Sequence, residues 1–115
     1  MQLKNDVDGR NTLDDTVLNF YRTKPGRDAR VFLHSENVEW GVLYSHFLID
    51  RKHVIRCGIG FDRGIYLYGV ELGIGPHYFG PPDFWSYENS ERFKMEASTE
   101  SITHSLRLLD EFWGV

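Results

Sequence analysis

The chain has 115 residues, of which 41% are hydrophobic and 26% charged, a composition typical of one globular domain spanning residues 1–115 around a single core. Its formal net charge of −4 argues against direct nucleic-acid binding, which needs a basic surface to neutralise phosphates. No apolar run is long enough to cross a membrane, and the N-terminal MQLKNDVDGR lacks the apolar segment of a secretory signal. We therefore expect a cytoplasmic protein.

The first predicted element is a helix over residues 13–23. Residues 1–10 are polar and aperiodic, as in a partly disordered terminus. Asn11 or Thr12 is the expected N-cap, and Pro25 with Gly26 ends the helix. The apolar residues that recur at helical spacing are Leu13, Val17, Phe20 and Tyr21.

Four strands are predicted between Ala29 and Ile74. The segments ARVFLHS, VEWGVLYSHFLI, HVIRCGIG and IYLYGVELGI are rich in β-branched and aromatic residues. Short polar breaks at residues 36–37, 50–52 and 62–64 separate them. Breaks this short join antiparallel strands, because a parallel crossover needs a dozen or more residues. The middle of the chain is therefore predicted to be an antiparallel meander.

The remainder of the chain is predicted to be a loop, a strand and a helix. Residues 75–90 form a proline-rich aromatic loop, and ERFKMEA alternates Phe93, Met95 and Ala97 as a half-exposed fifth strand would. Ser98 or Thr99 is the expected cap of the last helix. The apolar stripe of that helix comprises Ile102, Leu106, Leu109 and Trp113. The predicted fold is α+β: an antiparallel sheet of about five strands with an N-terminal and a C-terminal helix packed on one face.

No catalytic or metal motif is apparent. The glycine pattern of residues 58–64 precedes a strand and not a helix, so a turn or a close backbone approach explains it better than phosphate binding. The five histidines form no metal-binding pair, and we expect neither a metal nor a cofactor. Cys57 lies in an apolar strand, where a buried reduced thiol is expected. Glu71 could be a general acid, but a surface-facing strand position, or pairing with Arg56 on a neighbouring strand, explains it better.

The most informative feature is the aromatic and acidic segment that follows Pro82. Residues 83–115 carry seven acids and three bases, an excess of four negative charges that equals the net charge of the whole chain. Aromatic side chains beside acids are typical of an anchor patch with a charged rim. An alternative is that Phe84 and Trp85 close one end of the core. The predicted partner-binding residues are Asp83, Phe84, Trp85, Tyr87, Glu88 and Glu91.

The last third of the chain resembles a known class of protein. DFWSYENSERFKM followed by ESITHSLRLLDEFW is similar to small immunity proteins of bacterial contact-dependent growth-inhibition and related polymorphic toxin systems. The resemblance implies a cytoplasmic protein that binds a cognate toxin domain, often a basic nuclease, and blocks its active site. Such proteins share no functional residues that can be transferred to this chain, so the site residues above rest on charge and aromatic placement.

The leading prediction is therefore a non-enzymatic immunity protein whose partner is a toxin domain. Its acids would mimic the phosphates of the toxin's substrate, and its aromatics would anchor the complex. A second prediction is a small ligand-binding or enzymatic domain that uses the sheet face with Trp40, Tyr44 and His46. A third is a generic adaptor or self-associating domain. A deep polar pocket would favour the second.

Overall fold

The computed structural model describes residues 9–62 and 65–115. The expected disorder of residues 1–10 falls almost entirely outside the described residues, as does most of the predicted break at 62–64. The elements, in chain order, are α1 (Arg10–Arg22), β1 (Ala29–Asn37), β2 (Val42–Ile49), β3 (His53–Asp62), β4 (Ile65–Ile74), β5 (His77–Phe79), α2 (Pro81–Phe84), α3 (Tyr87–Ser90) and α4 (Thr99–Trp113).

The five strands form one antiparallel sheet in the order β1-β2-β3-β4-β5, which confirms the predicted meander. Consecutive strands are neighbours because the connections between them are short. The turn between β2 and β3 is made by Asp50 and Arg51 with φ of 52° and 60°, a left-handed conformation that matches the twist of a tight hairpin. β1 contains an irregularity between Val31 and Leu33, and such bulges at a sheet edge disfavour pairing with another chain.

One face of the sheet is covered by α1 and α4, as predicted. Phe47, Ile55 and Val70 alternate inward along the central strands and pack against the apolar stripes of the two helices. Within residues 9–62 and 65–115, no helix longer than one turn covers the opposite face of β2, β3 and β4, and we call it the open face. The largest core side chains with almost no exposure are Tyr21, Phe47, Leu13, Ile49, Ile55, Ile59, Ile102, Leu106 and Leu109.

The predicted boundaries of α1 and β2 were wrong. α1 begins at Arg10, and its N-cap is Gly9 at φ 80°, without a side-chain cap. β2 begins at Val42, because residues 38–41 form a turn in which the Asn37 side-chain oxygen accepts a hydrogen bond from the Trp40 amide at 3.1 Å. Trp40 is consequently 74% exposed at the end of a hairpin.

The predicted fifth strand at ERFKMEA was also wrong, because the fifth strand is β5. Gly75 at φ 60° reverses the chain directly after β4, so β5 pairs with the end of β4 and occupies that part of its edge. In the later segment only Glu96 forms a bridge, with Leu67, among the described residues. Met95 is 65% exposed whereas Phe93 and Ala97 are buried, so the three do not share a face.

The prediction for α4 is confirmed. Ser98 is its N-cap, and the Ser98 hydroxyl accepts a hydrogen bond from the Ser101 amide at 3.1 Å. Ile102, Leu106 and Leu109 are fully buried. Among the described residues, no helix is long and apolar enough to cross a membrane.

Candidate partner-binding groove

Phe84 and Trp85 are held against the end of α4. Their ring centroids lie 4.8 Å and 4.9 Å from the ring of Trp113 in edge-on contacts, and the Arg92 guanidinium stacks over the indole of Trp85 at 5.2 Å. Neighbouring Phe93 is buried in the same cluster. Both predicted anchors therefore close one end of the core, as the alternative reading of the sequence expected.

The other four predicted partner-binding residues point in two directions. Tyr87 and Glu91 line a groove beside β4, whereas Asp83 and Glu88 are exposed on α2 and α3 outside it. The sequence signal for all four was the same mixture of aromatic and acidic residues. Residues 80–96 fold back along β4, and this folding places Tyr87 and Glu91 in the groove and Asp83 and Glu88 outside it.

The groove runs along β4 from the open face, past residues 80–96, to Ser101 and Ser105 of α4, and we call it the β4 groove. Its volume is about 1470 Å³. This is larger than the roughly 300–1,000 Å³ of sites for drug-sized ligands. Its walls include Trp40 and Tyr44 from the second predicted function, whereas His46 does not line it. The structure therefore brings part of each predicted set of residues to one site.

Glycines make the floor of the β4 groove flat. Gly58 and Gly69 are directly paired across β3 and β4. A Cβ on Gly58 would lie 2.9 Å from the ring of Tyr44, so this glycine lets the ring pack against the backbone of β3, whereas a Cβ on Gly69 would meet nothing within 4 Å. The floor at Gly69 is therefore empty space.

Large apolar side chains stand exposed around this floor. Trp40 is 74% exposed, Phe61 62%, Tyr87 75% and Met95 65%, and all four line the groove. Exposed apolar groups concentrated at one concave place mark binding surfaces. Phe61 and Met95 were not predicted from the sequence as binding residues. The exposure of Phe61 depends on the hairpin, and that of Met95 on the fact that residues 91–97 do not form a strand.

The polar side chains of the adjoining open face are partnered with one another. The Arg56 guanidinium donates to Glu71 Oε1 from Nε at 2.8 Å, which confirms the predicted pairing. It also lies 4.3 Å from the ring centroids of both Tyr44 and Tyr78. His46 bridges this cluster, with Nδ1 2.8 Å from the Tyr78 hydroxyl. This arrangement fixes the face rigidly.

The charge lining the β4 groove is acidic. Glu91 and Glu96 are exposed, and neither has an ion pair within the part of the chain that the structure describes. Lys94 lies between them in sequence. Two free carboxylates against one ammonium favour an occupant that carries positive charge.

The buried thiol of Cys57 does not belong to this groove. Cys57 is fully buried and 3.4 Å from the Tyr68 hydroxyl, and burial raises its pKa to about 12. Such a thiol is protonated at neutral pH and is a poor nucleophile. The described residues contain no group of three or more His, Cys, Asp or Glu placed to hold a metal ion.

Comparison of the chain with protein-family models, curated proteins and solved structures finds no significant match. The β4 groove is therefore interpreted from its own residues.

Proposed function

We propose that this chain is an immunity protein, which binds a cognate toxin domain and blocks its active site. The observation that carries the proposal is the β4 groove, where exposed Trp40, Phe61 and Tyr87 line a concave site whose floor is empty at Gly69. Aromatic side chains in a concave site are the usual anchors of tight protein interfaces. The resemblance of the last third of the chain to immunity proteins supports the same function.

The charge of the groove supports a basic partner, and a nuclease is the class that we favour. A nuclease active site is basic because it must hold phosphates, so free carboxylates such as Glu91 and Glu96 would occupy it as phosphates do. Electrostatic attraction would speed the encounter, and the aromatics would slow dissociation. We place the complex in the cytoplasm, where the thiol of Cys57 stays reduced.

A second candidate function is ligand binding or catalysis on the open face, which His46, Tyr78 and the Arg56–Glu71 pair favour by their convergence. These groups already satisfy one another, however. A catalytic acid or base needs a free position within hydrogen-bond reach of a substrate. The arrangement therefore supports a rigid binding surface more than an active site.

The first test is co-expression with the product of the gene directly upstream, which we expect to carry the toxin domain. We expect that domain to arrest growth alone, and growth to resume when this chain is co-expressed. The two proteins should co-purify as a stoichiometric complex. Toxicity that persists in the presence of the folded chain would contradict the proposal.

The second test separates groove residues from residues outside the groove. Tyr87→Ala should weaken binding about thirtyfold, which corresponds to the ~2 kcal/mol of an interface anchor, and Glu91→Lys should also weaken it. Asp83→Lys and Glu88→Lys are matched controls, and they should mainly slow association. Equal effects of all four variants would place the interface outside the β4 groove.

A further inference from the structure

The outer edge of β4 has a vacant hydrogen-bonding position at Val70. The Tyr68 amide donates to the Met95 carbonyl, and the Tyr66 carbonyl accepts from the Ala97 amide. Even-numbered residues of β4 therefore direct their backbone groups away from β3, because these groups alternate sides along a strand. The N–H and C=O of Val70 consequently face the edge.

Neither neighbouring segment fills this position. Continuing the Leu72–Phe79 register by two residues places Pro81 opposite Val70, and proline has no N–H to donate. Continuing the Leu67–Glu96 register places Phe93 opposite Val70 from the other side, but the Phe93 amide donates to the Ser90 carbonyl at 3.1 Å. Among the described residues, Val70 makes no backbone hydrogen bond to either segment.

A second unpartnered polar group lies in the same groove. Ser105 of α4 is 0% exposed, and its hydroxyl has no hydrogen-bond partner among the described residues. Ser105 and Val70 both line the β4 groove. A buried polar group without a partner costs about 1–3 kcal/mol, so these groups favour an occupant that carries its own donors and acceptors.

We propose that the β4 groove receives an extended segment of the partner protein, whose backbone occupies the position beside Val70 and whose polar groups reach Ser105. Extended segments commonly bind by adding backbone hydrogen bonds at a free sheet edge. The volume of about 1470 Å³ suits a chain segment, and Glu91 and Glu96 favour a basic side chain on it. This inference rests on the proposed function.

Amide hydrogen exchange of the full chain tests the backbone contact directly, with the purified toxin domain of the adjacent gene as the ligand. In the free protein we expect the Val70 amide to exchange faster than those of Tyr68 and Leu72, because it has no partner. In the complex its exchange should slow at least tenfold. A complex that forms without slowing Val70 would overturn the inserted segment while leaving the immunity function in place.

The affinities of two variants, at Ser105 and at Gly69, test whether the inserted segment contacts this part of the β4 groove. Ser105→Ala should weaken affinity about threefold to tenfold, the net effect of one hydrogen bond. Gly69→Val should weaken it at least tenfold, since the new side chain enters space that is empty in the free protein. Thermal unfolding should show that both variants fold.

Ser45→Ala is the matched control. Ser45 is also fully buried, and its hydroxyl likewise has no partner among the described residues, but it lies on β2, two strands away from β4, and does not line the groove. Its affinity for the toxin domain should equal that of the wild type. If Ser105→Ala and Gly69→Val both bind with wild-type affinity, the inserted segment is overturned but the proposed function is not. If the wild type forms no complex at all, both are overturned.

Discussion

His46 is the titratable residue that most constrains the open face. It is 5% exposed, and its two ring nitrogens lie 2.7 Å from the Ser35 hydroxyl and 2.8 Å from the Tyr78 hydroxyl. Burial lowers its pKa, and the positive charge of Arg56 and then His34 lowers it further. A neutral imidazole therefore holds β1, β2 and β5 together.

This lowered pKa makes stability depend on pH in a defined direction. The unfolded chain accepts a proton on His46 near pH ~6.5 while the native protein resists it. The contribution of His46 is therefore complete above about pH 6.5 and is lost as the pH falls below that value. We expect the thermal midpoint of the wild type to fall more between about pH 7.5 and 5.5 than that of His46→Gln. Parallel pH profiles would contradict this assignment.

At the scale of elements, α4 supplies Ile102, Leu106, Leu108 and Leu109 to the buried core. Leu106 is fully buried there. Leu106→Ala should lower the free energy of unfolding by about 2–5 kcal/mol, because a buried large side chain leaves a cavity. Arg107→Ala, an exposed position on the same helix, should change it by less than about 0.5 kcal/mol. An unchanged thermal midpoint for Leu106→Ala would show that the buried stripe of α4 is assigned wrongly.

Trp85 directly follows α2 and contacts the end of α4, so we expect its substitution to affect stability more than the substitution of Tyr87 does. Because Trp85 packs on Phe112 and Trp113, Trp85→Ala should lower the free energy of unfolding by more than about 1 kcal/mol. Any loss of affinity should follow from that destabilisation, and it should be smaller than for Tyr87→Ala. Urea unfolding and binding kinetics of the two variants distinguish support of the fold from direct contact. A stable Trp85→Ala with lost affinity would show direct contact.

At the scale of the whole molecule, charge is divided between the two ends of the chain. The basic residues Lys24 and Arg27 are neutralised by Asp110, with Arg27 also paired to Asp50 at 2.7 Å. The acids of residues 83–96 have no such pairs among the described residues. These four acids are offset only by Arg92 and Lys94 within the same segment, so residues 83–96 carry a net charge of −2, half of the −4 of the whole chain.

This distribution should make partner association sensitive to salt. Raising ionic strength from about 0.05 M to 0.5 M should slow association with the toxin domain several-fold and change dissociation little. The combined variant Asp83→Lys with Glu88→Lys should flatten that dependence. Association rates measured by surface plasmon resonance at several salt concentrations provide the test. A salt-independent rate would exclude electrostatic steering.

Much of the fold followed from local patterns. The β-branched and aromatic content of β2, β3 and β4, the short breaks between them and the four- and three-residue steps of α4 are local features of the sequence, and they were sufficient to predict these elements. β5 was missed because three residues are too few for a pattern. Residues 91–97 alternate like a strand, but β5 occupies part of the edge of β4 and the chain turns at Ser90. In the part of the chain that the structure describes, these residues form one bridge to β4, at Glu96.

The amino-acid sequence by itself determined the meander, the two helices that cover one face, and the burial of Cys57, because each depends on spacing along the chain. Only the tertiary structure decided that Phe84 and Trp85 face α4 while Tyr87 and Glu91 face the β4 groove. The same holds for the vacancy at Val70. The missing N–H of Pro81 matters there only because the register places it opposite Val70, and a register is a relation between segments far apart in sequence.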